Sequence, residues 1–95
     1  MGKVIDISKC MALARCMNEL YEDGAISCDP YWDGKKNVPG VQLTSEAFGL
    51  TFGDRKFQRC HHSDNRDELS ISIGDVKFMT LINKHCREFK DGKWI

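Results

Sequence analysis

The N-terminal part of the chain carries apolar residues three and four positions apart, a spacing that places them on one side of a helix. These residues are Cys10, Leu13, Ala14, Met17, Leu20 and Tyr21. Ser8 precedes them and can cap the helix, and Gly24 can end it. The pattern predicts a helix over residues 9–21 with one apolar face to bury.

A second, shorter helix is predicted after Thr44, which is a good N-cap residue. Leu43 and Phe48 occupy the two positions of a hydrophobic staple around that cap. Phe48 and Phe52 are four residues apart and share one helix face. Gly53 is expected to end the helix in the left-handed conformation.

Beyond Gly53 the apolar period falls to two, the period of strands. The alternation predicts strands over residues 57–62, 69–73 and 76–81. Gly74 and Asp75 fit a two-residue type II′ turn, which makes the last two strands antiparallel neighbours. The middle strand alternates Leu or Ile with Ser, so only one of its faces is expected to be buried.

These elements predict one domain over residues 1–95 with an α+β fold in two layers. Two helices are expected to pack on a three- to four-stranded antiparallel sheet, with the N-terminal helix as its main cover. A further short strand is predicted around Phe89 or Trp94, with Asp91 and Gly92 as its turn.

Between the two helices, the chain is predicted to form a short strand at residues 25–28 and then an irregular loop at residues 28–40. The residues that argue for the loop are Pro30, Gly34, Pro39 and Gly40. Tyr31 and Trp32 are adjacent within it. The charged residues around this aromatic pair are Asp29, Asp33, Lys35 and Lys36.

An aromatic centre with a charged rim is typical of a protein interface, because large rigid rings bury much area at low entropic cost. The alternative is that one or both rings fold back and complete a small core. The segment is therefore a candidate partner-binding surface.

Charge is balanced, with 14 basic and 14 acidic residues in a chain of 95. This balance disfavours both an acidic mimic of DNA and a protein that follows a phosphate backbone. The C-terminal end is the exception, with Lys84, His85, Arg87, Lys90 and Lys93 against Glu88 and Asp91. It is either a solvated face or, as an alternative function, a nucleic-acid-binding site with Trp94 as a stacking platform.

Cysteine and histidine concentrate at Cys60, His61, His62, His85 and Cys86. Alternation along a strand sends His61 and His62 to opposite faces, and no recognised zinc-ligand spacing is present. A thiol nucleophile, Cys28 or Cys86 with a histidine, lacks a recognisable oxyanion-binding feature. We therefore expect neither metal nor other cofactor, and a protein that is not an enzyme.

The composition favours a cytoplasmic protein that does not cross a membrane. Unbroken apolar runs are far shorter than the roughly 20 residues needed to span a bilayer, and charged residues interrupt the N-terminus where a secretory signal would be apolar. The five cysteines are odd in number and show no CxxC pattern, so they are expected to be reduced and to pack as small hydrophobic residues.

About the middle half of the chain resembles small accessory proteins encoded by bacteriophages and mobile elements. The stretches that carry the resemblance are Val41-Gln42-Leu43-Thr44-Ser45-Glu46-Ala47-Phe48, Phe52-Gly53, Glu68-Leu69-Ser70, Gly74-Asp75-Val76-Lys77-Phe78 and Leu81-Ile82. In that pattern a capped helix with a Phe pair precedes a hairpin.

The resemblance implies an anti-CRISPR-like inhibitor that blocks a host defence or regulatory protein, or a ribonucleoprotein complex, by direct binding. The residues expected to contact the partner are Tyr31, Trp32, Asp33, Lys35, Lys36, Arg87, Lys90 and Lys93.

Overall fold

The computed structural model describes residues 2–95 and has an α+β fold with two helices, a five-stranded sheet and a two-stranded sheet. The helices are α1 (Ile7–Glu22) and α2 (Ser45–Phe52), and the strands are β1 (Ala25–Trp32), β2 (Asn37–Leu43), β3 (Gln58–His61), β4 (Arg66–Ile73), β5 (Val76–Asn83), β6 (Phe89–Lys90) and β7 (Lys93–Trp94). The α+β class and the antiparallel order of the three strands after residue 53 are confirmed.

The large sheet has the order β1-β2-β5-β4-β3, and β2 lies parallel to β5 while the other pairs are antiparallel. The prediction of a purely antiparallel sheet of three to four strands was wrong in this respect. Because β2 and β5 are parallel and each follows a hairpin turn, the β1–β2 turn and the β4–β5 turn lie at the same end of the sheet.

Residues 28–40 form a hairpin, so the prediction of an irregular loop was wrong. Pro30 pairs with Pro39 across the two strands. Two prolines cannot exchange N–H bonds, so this is a non-hydrogen-bonded pair, and Pro30 directs its missing donor to the free edge of β1. An edge strand tolerates proline there, and the proline hinders pairing with a further strand.

The core lies between α2 and one face of the large sheet. Its buried residues are Phe48, Phe52, Leu69 and Ile82. The Thr44 cap is confirmed, since its hydroxyl accepts the N–H of Ala47 at 3.1 Å. Phe48 and Phe52 are in contact, with ring centroids 5.2 Å apart. Gly53 has a right-handed φ of −61°, so the predicted left-handed cap was wrong.

Two tight turns follow the predicted chemistry. Gly74 has a positive φ of 62° between the paired residues Ile73 and Val76, as a type II′ turn requires. Asp91 and Gly92 both have positive φ, at 54° and 77°, and join β6 to β7. The predicted turn is therefore confirmed, but instead of one further strand the chain forms two, which pair in a separate two-stranded sheet that packs against α2.

Helix α1 makes almost no tertiary contact, so its prediction as the main cover of the sheet was wrong. It begins at Ile7, two residues before the start that a Ser8 cap would give, because the Asp6 carboxylate caps it by accepting the N–H of Lys9 at 3.1 Å. Every residue of α1 is exposed except Met17, which is half-buried.

The reason is that α2 and the β6–β7 hairpin already occupy the apolar face of the sheet. The opposite face surrounds Met79 and Leu81 with Glu68, Ser70, Ser72 and Lys77, so it offers a helix a mostly polar surface. The longest molecular dimension is 50 Å, close to a helix of roughly 24 Å set end to end with a strand of roughly 26 Å.

Candidate partner-binding surface

The turn of the β1–β2 hairpin is held by Asp33. Its carboxylate accepts the backbone N–H groups of Lys35 at 2.8 Å and Lys36 at 2.9 Å. These bonds, that from Lys36 first, lower the pKa of the Asp33 carboxyl. Gly34 supplies the positive φ of 97° that the turn requires. Asp33 therefore shapes the turn, whereas the side chains of Lys35 and Lys36 are exposed beside it.

Tyr31 and Trp32 lie at the end of β1, and strand alternation sends their side chains to opposite faces of the sheet. Tyr31 is half-buried beneath Lys77, whose Nζ lies 3.4 Å from the centroid of the phenol ring and 3.4 Å from Glu68 Oε2. Such a cation–π contact fixes the ring in place. The two aromatic residues therefore do not form one contact surface.

Trp32 is 60% exposed, on the same side of the sheet as α2 but on the edge hairpin, beside other exposed side chains. We call this group the Trp32 patch, and it consists of Cys28, Pro30, Trp32, Asn37 and Pro39. A depression of about 380 Å³ lies within it, lined by these residues other than Trp32 and by Asp29. The patch combines a large exposed indole with rigid prolines.

A larger cleft of about 810 Å³ opens on the other face, between the two hairpin turns. Its charged lining residues are Lys36, Lys56, Lys77, Asp33 and Asp75. Three lysines against two carboxylates give the cleft little net charge. Lys77 is already paired with Glu68, so the cleft is not a strong anion site.

The C-terminal residues of the predicted site lie elsewhere. Arg87 Nη1 donates to the carbonyl oxygen of Lys84 at 3.1 Å, beyond the end of β5 that is far from the two turns. Lys90 and Lys93 are an exposed cross-strand pair on the β6–β7 hairpin. The structure thus places Tyr31, Trp32, Asp33, Lys35 and Lys36 at one end of the β1–β2 hairpin, with Tyr31 and Trp32 on opposite faces, and separates them from Arg87, Lys90 and Lys93.

Trp94 does not serve as the predicted stacking platform. It is half-buried, its Nε1 donates to the carbonyl oxygen of Ser45 at 2.7 Å, and it packs between Phe57 and Phe89. A ring held in this way cannot stack on a base without breaking the contact between α2 and the C-terminal hairpin. The predicted nucleic-acid-binding site therefore has no aromatic residue free to stack on a base.

An ion cluster that the sequence reasoning missed lies at the β3 edge. The Asp67 carboxylate receives Lys84 Nζ at 2.6 Å and Arg59 Nε at 2.8 Å, and these two cations, Lys84 first, lower the pKa of Asp67. Arg59 also donates to the carbonyl oxygen of Cys86 at 2.7 Å, and Lys84 Nζ lies 2.8 Å from His61 Nδ1. The cluster anchors the segment after β5 to the sheet.

The cysteine and histidine residues are scattered. Across residues 2–95, no three His, Cys, Asp or Glu side chains are grouped as a metal site. Cys28 and His61 lie on opposite edge strands, so that nucleophile pair is not formed. All five cysteines are free and four are exposed, so the expectation that they pack as small hydrophobic residues holds only for Cys86, which contacts the core.

Neither helix among residues 2–95 has the length and apolar character needed to cross a bilayer. The comparisons with other proteins give no match of this chain to a family model, a curated protein or a solved structure.

Proposed function

We propose that this chain is a non-enzymatic protein that binds and inhibits another protein through the Trp32 patch. The observation that carries the proposal is the 60% exposure of Trp32 on a rigid hairpin. Tryptophan is enriched among the interface residues that dominate binding energy, and the exposure of Trp32 in the free protein leaves most of its area to be buried by the partner.

The chemistry of the Trp32 patch indicates what the partner surface must offer. The indole requires an apolar pocket, and the prolines Pro30 and Pro39 offer a flat, preorganised surface around it, which lowers the entropic cost of binding. Asp29 at the depression and Lys35 in the turn place charges of both signs beside the patch, so the partner surface is expected to carry both signs around its pocket.

The identity of the partner class rests on the resemblance to mobile-element proteins alone. On that basis we propose an anti-CRISPR-like role, in which the target is a host defence or regulatory protein or its ribonucleoprotein complex. The mode of action is steric occlusion by a bound domain, which needs no catalytic group.

The test is affinity capture from host lysate with tagged wild type, Trp32→Ala and Leu50→Ala. Leu50 is a matched control, because it is also a large exposed apolar residue, 66% exposed on α2 and away from the hairpin. A partner captured by wild type and Leu50→Ala but lost with Trp32→Ala supports the proposal. With the purified partner, the Trp32→Ala dissociation constant should rise by roughly 30-fold or more, corresponding to about 2 kcal/mol.

Equal recovery of the partner by all three proteins would remove the Trp32 patch from the function. Because Trp32 is exposed, its replacement should leave the unfolding midpoint nearly unchanged, which separates lost binding from lost folding. Loss of target inhibition with retained binding would contradict occlusion as the mode of action.

A further inference from the structure

Helix α1 presents an apolar stripe that no part of residues 2–95 covers. Its members are Ile7, Cys10, Met11, Leu13, Ala14, Met17, Leu20 and Tyr21. Ile7 is 72% exposed and Leu13 57% exposed, values typical of unfolded or surface residues. The stripe covers about half the helix circumference, which is wider than surface helices usually leave in water.

A helix of 16 residues without tertiary packing is marginally stable in water. Its base is fixed, because the carbonyl oxygen of Gly24 accepts the N–H of Thr44 at 2.8 Å. The rest of α1 extends beyond the sheet. A partner that buries the stripe would supply the packing that the chain itself does not.

The central and end positions of the stripe are symmetric about Ala14, whereas Cys10, Leu13 and Leu20 have Asn18, Arg15 and Ser8 at the mirrored positions. Ile7 precedes Ala14 by seven positions and Tyr21 follows it by seven; Met11 precedes it by three and Met17 follows it by three. A two-fold interface requires a surface that is complementary to itself. Two antiparallel copies centred on Ala14 place Ile7 beside Tyr21 and Met11 beside Met17, while the small Ala14 side chains let the helix axes approach closely.

The charges permit this pairing. Lys9, Arg15, Glu19 and Glu22 lie outside the stripe and sum to zero, so two copies meet without net repulsion. Eight side chains of roughly 60–100 Å² each bury roughly 1,000–1,600 Å² over two copies, which reaches the size of a specific interface. We propose that α1 is a dimerisation helix that packs antiparallel on α1 of a second copy.

The test is sedimentation of the full-length wild type beside two matched variants, Ala14→Glu and Ala12→Glu. Both alanines are exposed on α1, but Ala14 is at the centre of the stripe and Ala12 is on the opposite side of the helix. The two substitutions add the same side chain and charge to the same helix. Wild type and Ala12→Glu should sediment as dimers, at twice the chain mass of 10.9 kDa. Ala14→Glu should sediment as a monomer, at the mass of one chain.

Dimer geometry is read by small-angle scattering on the same samples. Sheets at opposite ends of one shared helix pair give a longest dimension of roughly 75 Å, against 50 Å for one chain. A monomeric wild type, a dimer equally stable in both variants, or a dimer with the longest dimension of a single chain would each overturn the proposal. If the stripe binds a different protein instead, the wild type would be monomeric.

Discussion

The contact between Gly49 and Phe89 determines whether Gly49→Ala raises or lowers the free energy of unfolding. Gly49 is buried in α2, and a Cβ atom placed on it would overlap the ring carbons of Phe89. In an exposed helix, Gly→Ala stabilises by about 1 kcal/mol. Here the overlap forces the β6–β7 hairpin away from α2, at a cost of about 1–3 kcal/mol for an overpacked site. We therefore expect Gly49→Ala to destabilise the protein by about 1 kcal/mol.

The same substitution should change sign when the ring is removed. In a Phe89→Ala background the Cβ atom finds space, and Gly49→Ala should stabilise by up to about 1 kcal/mol. The coupling energy of the cycle is then about 2 kcal/mol, within the range for residues in contact.

Urea unfolding of the four proteins measures this coupling. Trp94 is a local reporter, since its ring centroid lies 5.2 Å from that of Phe89. A Trp32→Phe background leaves it as the single indole, because the chain has two tryptophans. Equal stabilisation by Gly49→Ala in both backgrounds would refute the packing of the C-terminal hairpin on α2.

Three further predictions test other parts of the structure. Leu69→Ala should lower the free energy of unfolding by about 2–5 kcal/mol because Leu69 is fully buried. Leu50→Ala should change it by less than about 0.5 kcal/mol because Leu50 is exposed. Similar losses of unfolding free energy in the two variants would contradict the assigned core. The lowered pKa of Asp67 gives stability that is present above about pH 4 and is lost as the pH falls through the folded-state pKa. Asp67→Asn should therefore reduce the loss of unfolding free energy as the pH falls in the acid range. An acid-range loss equal to that of the wild type would contradict the ion cluster. Single-stranded oligonucleotides should not change Trp94 fluorescence in the Trp32→Phe protein at low salt, because the indole is already packed; quenching with a steep salt dependence would contradict this.

Elements whose signal is local could be predicted from the sequence. Thr44 caps α2 through a bond to a residue three positions away, and Gly74 makes a turn whose requirement for positive φ is met within two residues. In both cases the chemistry that decides the structure lies inside the segment. The strands after residue 53 follow for the same reason, since their period is visible along the chain.

Elements decided by distant contacts could not be predicted in the same way. Prolines argue against a strand, and only the edge position of β1 makes Pro30 compatible with one. An amphipathic stripe predicts that α1 buries a face, but it does not identify the surface that buries it. The parallel pairing of β2 with β5 joins segments separated by α2 and two strands, so no short-range pattern reports it.

The candidate site was predicted in part. The exposed Trp32 and the turn at Asp33 come from a segment that the sequence singled out. Had residues 28–40 been recognised as a hairpin, alternation would have placed Tyr31 and Trp32 on opposite faces. The Asp67 cluster joins residues from β3, β4 and the segment after β5, so it becomes visible only when the sheet is assembled.

The availability of α1 for a second copy is tested most directly by the alkylation rates of two cysteines on that helix. Cys10 lies in the stripe and Cys16 lies outside it, and both are exposed in one chain. Over a dilution series read by mass spectrometry, Cys10 should react slowly at high protein concentration and as fast as Cys16 at low concentration. Protection of Cys10 at every dilution would mean that α1 packs on its own sheet, and would contradict the account.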